Sequence, residues 1–337
     1  MQSTESKNLR IRILTLLCAG LVATGCGSDD EAGTGSLTVL LEAEDTITEG
    51  LAAGDDVENI QDGWDAVYEK FVVAIGNIDL HFATDEDLEA EADDVFIVDL
   101  TQVPASGLAL WSLDGLREGR WEFNFDTPGA AHGGKRHASV SLADYDEMVE
   151  NDWTYLVDGT LSKDDGQSCP PTALVEPGDR TANGQMSGGN ACFDAPSIRF
   201  FFGIPAETRF GPCKIDGVPG IAISAGGTQT VATTIHGDHL FFNGFPEGDE
   251  GGITRLAQWL ADSDLNLDGT VTAAELEAIA PEQLPELDED RYQLGGSPIK
   301  PLDNMYTYVI AQLKTQGHFQ GEGECDIDGM EHGHDDE

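Results

Sequence analysis

Residues 119–125 read GRWEFNF, and the alternation in that stretch decides the fold class. Trp121, Phe123 and Phe125 occupy every second position, with Glu122 and Asn124 between them. Successive side chains of a strand point to opposite faces, so this period buries one face and wets the other. Runs rich in Val, Ile, Thr and aromatics recur in SLTVLL (36–41), KFVVAIGNIDLHF (70–82), DVFIVDL (94–100), WTYLVDGTL (153–161), SIRFFFGI (197–204) and TQTVATTI (228–235). Gly, Pro, Asn and Asp separate them. The pattern predicts an α+β chain whose body, residues 37–245, is mainly an antiparallel β-sandwich.

The surrounding stretch LWSLDGLREGRWEFNF (110–125) resembles a turn-and-strand feature of transthyretin-like and other Ig-like sandwiches of exported proteins. The resemblance implies that fold and says nothing about activity. Residues 163–196 are rich in Gly, Pro and polar side chains and form a long loop bracketed by two cysteines. Beyond residue 245 the period changes. Ile253, Leu256, Ala257 and Leu260 fall at i, i+3, i+4 and i+7, which predicts a helix. A second helix is expected near Thr272 and a third over about Leu302 to Thr315. Residues 246–320 therefore read as a helical segment, and 321–337 as an acidic, His-containing tail.

The chain opens with Lys7, Arg10 and Arg12, then an apolar run from Ile13 to Val22. A run of about ten residues suits a signal-peptide core and is too short to span a bilayer. It ends at Ala23-Thr24-Gly25-Cys26, which resembles the bacterial lipobox with Ala23 where a leucine is usual. That resemblance implies removal of 1–25, lipidation of Cys26, a flexible tether over 26–36, and a lipid-anchored place in the cell envelope, at the outer membrane or cell surface. Cys169, Cys192, Cys213 and Cys325 then remain. An even count in an exported chain predicts two disulfides, with three connectivities open. Cys169–Cys192 and Cys213–Cys325 is the pairing we take, because the first staples the long loop and the second pins the C-terminal region. No Cys-x-x-Cys pair suggests a zinc site.

The formal net charge is −46 over 337 residues. That excludes non-specific nucleic-acid binding, which needs a basic footprint, and argues against lying on anionic lipid by charge. A highly acidic surface stays soluble and attracts cations.

Residues 264–275, within DSDLNLDGTVTAAEL, resemble the calcium loop of an EF-hand. The resemblance assigns oxygen ligands to Asp264, Asn266, Asp268, Thr270 (backbone carbonyl), Thr272 (through water) and Glu275 (both oxygens), with Gly269 at the sharp turn. It implies bound Ca2+. Val271 stands where a buried aliphatic residue normally pairs with a neighbouring loop, and Ser263 stands where a large apolar residue is common. The same residues also suit a capping box, Thr272 as N-cap and Glu275 as its partner.

TTIHGDHLFF places His236, Asp238 and His239 close together. The run resembles the metallo-β-lactamase zinc motif, but Thr234 replaces its first His and the alternating strand–helix chain is missing. His236 and His239 converge only if Gly237 makes a turn. His318, His332 or His334 could complete a zinc or copper site. His132 and His137 read as polar loop residues, and His81 as structural. AISAG (222–226) is a partial nucleophile elbow around Ser224, and no phosphate loop or dinucleotide fingerprint is present. The sequence thus favours a calcium-binding envelope lipoprotein with a non-catalytic role. A zinc or copper protein using His236 and His239 comes second, and a hydrolase third.

Overall fold

The computed structural model describes residues 33–245, 253–287 and 291–327. The expected signal, Cys26, His332, His334 and the end of the tail lie outside the described residues. The principal strands are β1 (Thr34–Ala43), β2 (Asp65–Phe82), β3 (Asp85–Ala92), β4 (Phe96–Asp99), β5 (Leu108–Arg117), β6 (Gly119–Thr127), β7 (Tyr155–Ser162), β8 (Ser197–Ile204), β9 (Thr208–Ile215), β10 (Ile221–Ile223), β11 (Thr228–Ile235), β12 (Thr270–Thr272), β13 (Gly317–Phe319) and β14 (Glu324–Ile327). The helices are α1 (Asp45–Thr48), α2 (Leu142–Asn151), α3 (Gln258–Ala261), α4 (Ala273–Ala278) and α5 (Met305–Leu313).

The chain is mostly strand, arranged as sandwich-like sheets. A smaller sheet has the order β13–β11–β1–β5, and a larger one runs β9–β6–β2–β7–β8–β12. Their inner faces meet where Phe123 of β6 stacks on Phe319 of β13, ring centroids 4.8 Å apart. As the alternation requires, Trp121, Phe123 and Phe125 are buried. Asn124 is buried as well, because its side-chain amide donates to the Asp79 carbonyl at 3.1 Å.

Two pairs depart from the mainly antiparallel pattern. β1 pairs with β11 in parallel, Leu37 opposite Gln229, and β8 pairs with β12 in parallel, Phe200 opposite Val271. Both pairs join strands far apart in sequence, and a parallel neighbour needs such a long connection. The apolar run in β2 also lacks strict alternation, since both faces are covered. Phe71, Val73 and Ile75 enter the main core, while Val72 and Ala74 join a second cluster with Met148 of α2.

The segment after residue 252 belongs to the same core. Trp259, Leu276, Tyr308 and Leu313 are buried with Trp64, Phe200 and Phe241. The helix expected from Ile253 is shorter than its periodicity suggests. Arg255 instead bridges in extended form to Ile60 and Phe242, and Asp62 Oδ2 accepts both the Ala257 and Gln258 amides at 2.8 Å. A side chain from another part of the chain thus caps α3 and fixes where it starts. The third helix is found at Met305–Leu313, and the tail contributes β14, which pairs with β9.

Both disulfides form as paired above: Cys169–Cys192 and Cys213–Cys325. The first closes the base of a hairpin in which Gln167–Ser168 pairs with Phe193–Asp194. The second ties β14 to β9.

Candidate functional site

β11 ends at Ile235, and the chain turns at once. Gly237 adopts helical backbone angles, and a tight 3-10 turn follows over Asp238–Phe241. A Cβ on Gly237 would lie 2.6 Å from Ile47 Cγ1, so only glycine lets the turn sit against α1. This turn puts His236 and His239 on the same side, with ring centroids 5.7 Å apart.

The third histidine comes from β13. Its register sets His318 opposite Thr234 on β11, and the His236 amide donates to the Gln316 carbonyl at 3.0 Å. His318 consequently stacks on His236 with centroids 4.0 Å apart and lies 5.2 Å from the His239 ring. One ligand nitrogen from each of the three lies within 4.8 Å of the others. His236, His239 and His318 are 2 %, 0 % and 9 % exposed, so the cluster sits inside the fold. A small cavity of about 30 Å³ beside it is lined by His239, Thr315, His318 and Cys325.

Hydrogen bonds orient the rings. The Thr315 hydroxyl donates to the Gln312 carbonyl at 2.8 Å. Its oxygen is therefore an acceptor for His239 Nδ1, also at 2.8 Å. His239 carries its proton on Nδ1, and the lone pair sits on Nε2. His236 faces two acceptors, the Gly321 carbonyl 3.1 Å from Nε2 and Glu44 Oε2 3.4 Å from Nδ1. A neutral ring has one N–H and cannot serve both. His318 Nδ1 is buried without a hydrogen-bond partner among the described residues.

The electrostatics favour a neutral His318. Burial holds His318 well below its usual 6.5, and the neighbouring His236 and His239 push in the same direction. Glu44 is pushed up to about 7, first by burial and then by the charge of Asp238. Asp238 is itself fully buried and compensated by Arg255, whose Nε donates to Oδ2 at 2.7 Å. Glu44, His236 and Asp238 also bring ligand atoms within 4.8 Å of one another. Nothing in the sequence pointed to Glu44 or Thr315, which lie about 190 and 80 positions from His236 in the chain.

The Asp264–Glu275 loop is wrapped around its own carboxylates. Gly269 has φ of +86° at the sharp turn. Asp264 accepts from the Asp268 amide at 3.1 Å and the Gly269 amide at 2.9 Å. Asn266 Oδ1 accepts from Asp268, and Asp268 Oδ1 from Thr270. Glu275 reaches both ends of the loop, since Oε1 takes the Leu265 amide and Oε2 the Thr272 amide and hydroxyl. The expected capping box at the start of α4 is present. Val271 finds its partner strand in the body, opposite Phe200 of β8, rather than in a second loop. Ser263 is buried and donates to the Trp259 carbonyl at 2.8 Å, which explains a small polar residue there.

The remaining candidates separate. Ser224 lies in an exposed turn between β10 and β11, a strand–turn–strand setting rather than the strand–turn–helix of a nucleophile elbow. His81 is hydrogen-bonded to Asp79 at 3.0 Å and His137 to Ser139 at 2.9 Å. His132, read as merely polar, stands beside Asp152 and Glu207.

No family model and no curated protein matches the sequence. Among solved structures, MbnP from Methylosinus trichosporium aligns over 62 % of this chain and 78 % of its own, at 11 % identity and a TM-score of 0.25. A superposition at that score establishes neither a shared fold nor a shared function. Two disulfides suit an extracytoplasmic protein. No helix among the described residues is long and apolar enough to cross a membrane.

Proposed function

We propose that the protein is a transition-metal-binding protein that holds zinc or copper between His236, His239 and His318. One observation carries this reading: three buried imidazoles, two from one turn and one from β13, bring ligand nitrogens within 4.8 Å. Imidazole nitrogen suits zinc and copper, and three protein ligands leave a position open for water or substrate. A hydrogen-bonded outer shell, Thr315 on His239 and Glu44 beside His236, is the usual companion of such ligands. We place the protein in the cell envelope, anchored through Cys26, with a binding rather than a catalytic role. Titration with zinc and with copper tests the assignment. One equivalent should bind tightly, and His318→Ala should abolish that tight component. Retention of that equivalent in His318→Ala with an intact fold would reject the assignment.

A second reading concerns the Asp264–Glu275 loop. Calcium, a hard cation, prefers oxygen donors, and six loop positions supply them. The wrapped backbone supports it, with Gly269 at the turn and Glu275 spanning both ends. Docked on β8 through Val271, this loop serves as a stabilising staple rather than an opening switch. The tests are separable, because chelating calcium addresses the loop and substituting His318 addresses the histidines.

A further inference from the structure

The geometry points to a separate, solvent-exposed divalent-cation site at His132, Asp152 and Glu207, suited to a borderline ion such as zinc. It shares no residue with the histidine cluster. Its residues come from three connections: the turn after β6, the end of α2, and the turn between β8 and β9. One ligand atom from each lies within 4.8 Å of the others.

The backbone is arranged to bring these groups together. Asp152 ends α2 in the left-handed conformation, φ 53°, and its Oδ1 accepts the Ala131 amide at 2.9 Å. That bond ties the aspartate to the turn that carries His132. Gly129 lies under both carboxylates. A Cβ there would sit 2.3 Å from Asp152 Oδ1 and 2.7 Å from Glu207 Oε1, so glycine leaves both carboxylates free to approach the same point.

The three side chains face one another at ion-pair range without a hydrogen bond between them, which leaves room for a cation. His132 Nε2 is 3.9 Å from Asp152 Oδ2 and 3.9 Å from Glu207 Oε1. That is too long for a hydrogen bond. Tetrahedral zinc holds nitrogen and oxygen donors at about 2.0–2.2 Å and so sets them roughly 3.4 Å apart, and these side chains need close by only about half an ångström from 3.9 Å to share one ion. His132 and Glu207 also line an open cleft of about 310 Å³ with Arg209 and Lys314. The cleft leaves coordination positions for water or for a small anion, which Arg209 and Lys314 would also attract. With one imidazole and two half-exposed carboxylates, the site is weaker and more exchangeable than the buried cluster.

Calorimetric titration of the full, disulfide-bonded protein with zinc chloride tests this. Two binding components are expected, the weaker belonging to this site. His132→Ala and, separately, Glu207→Gln should weaken that component at least tenfold with the melting temperature unchanged. Asp152→Asn, which keeps a residue tolerant of left-handed backbone, should do the same. His318→Ala should leave it in place. The proposal is overturned if the weak component survives all three substitutions, which would mark adventitious surface binding, or if it disappears in His318→Ala.

Discussion

His239 Nδ1 and Thr315 Oγ1 lie 2.8 Å apart, and the Thr315 proton is already committed to the Gln312 carbonyl. The threonine therefore decides which nitrogen of His239 can act as a ligand. Thr315→Val keeps the shape and removes the acceptor. It should weaken zinc binding about 10–100-fold, the usual cost of losing an outer-shell partner, with the far-UV spectrum unchanged. Equal affinity in the variant would show that Thr315 does not set the tautomer.

The two disulfides should separate in their effects. Cys213–Cys325 closes 112 residues and ties down β14, beside His318. Replacing both cysteines by serine should cost about 5 kcal/mol and lower metal affinity as well. Removing Cys169–Cys192, which closes 23 residues, should cost about 3 kcal/mol and leave metal affinity unchanged. Denaturant melts combined with zinc titrations on the two variants test the distinction.

Much of this was legible in the sequence, for local reasons. The strand runs, the presence of two disulfides and the Gly269 turn of the Asp264–Glu275 loop follow from period, parity, spacing and backbone freedom within short windows, whereas a turn at Gly237 was only the condition for His236 and His239 to meet. What was not legible depends on distant neighbours. Asp62 caps α3 from far upstream and shortens the helix that Ile253, Leu256 and Leu260 suggested. The parallel pairing of β1 with β11 leaves no local mark. His132 looked like a loop residue because Asp152 and Glu207 reach it only through the folded sheet.

Glu44 gives a pH dependence with a definite sign. Its folded value, about 7, is above its ordinary 4.5, so the folded state favours the protonated form. The associated stability is present below about 4.5 and is lost as the pH rises through about 7. Glu44→Gln cannot ionise, so its stability relative to the parent should improve across that window, by up to roughly 3 kcal/mol. His318 acts in the opposite sense. Its lowered value means stability is lost as the pH falls below about 6.5. Urea melts at pH 4.5, 6 and 8 on parent, Glu44→Gln and His318→Ala test both signs; a flat difference for Glu44→Gln would contradict the first.

The loop predicts a calcium effect with its own pH range. Asp264 is pushed up to about 6 by burial and by the charges of Glu275 and Asp268, against the amide bonds that favour its ionised form. Ionising these groups together sets like charges against one another, and a bound calcium ion would relieve that repulsion. Chelation should lower the melting temperature more at pH 7.5 than at pH 5, and Glu275→Gln should remove the response. An identical melting curve with calcium and with chelator at pH 7.5 would exclude calcium from the loop.

The ion pair of Asp238 with Arg255 supports the turn beneath the histidines. Both are buried, so Arg255→Met leaves a carboxylate without its partner and should cost about 3–5 kcal/mol. The double variant with Asp238→Asn should recover part of that loss in a thermal melt. No recovery would show that the guanidinium matters for packing and not for charge.

Anomalous diffraction at the zinc or copper edge, from crystals of the full chain grown with one equivalent of the metal, tests the central claim most directly. The account predicts a peak about 2.0–2.1 Å from one nitrogen each of His236, His239 and His318. A crystal whose metal peak touches none of these three rings, with the rings placed as described, would contradict it.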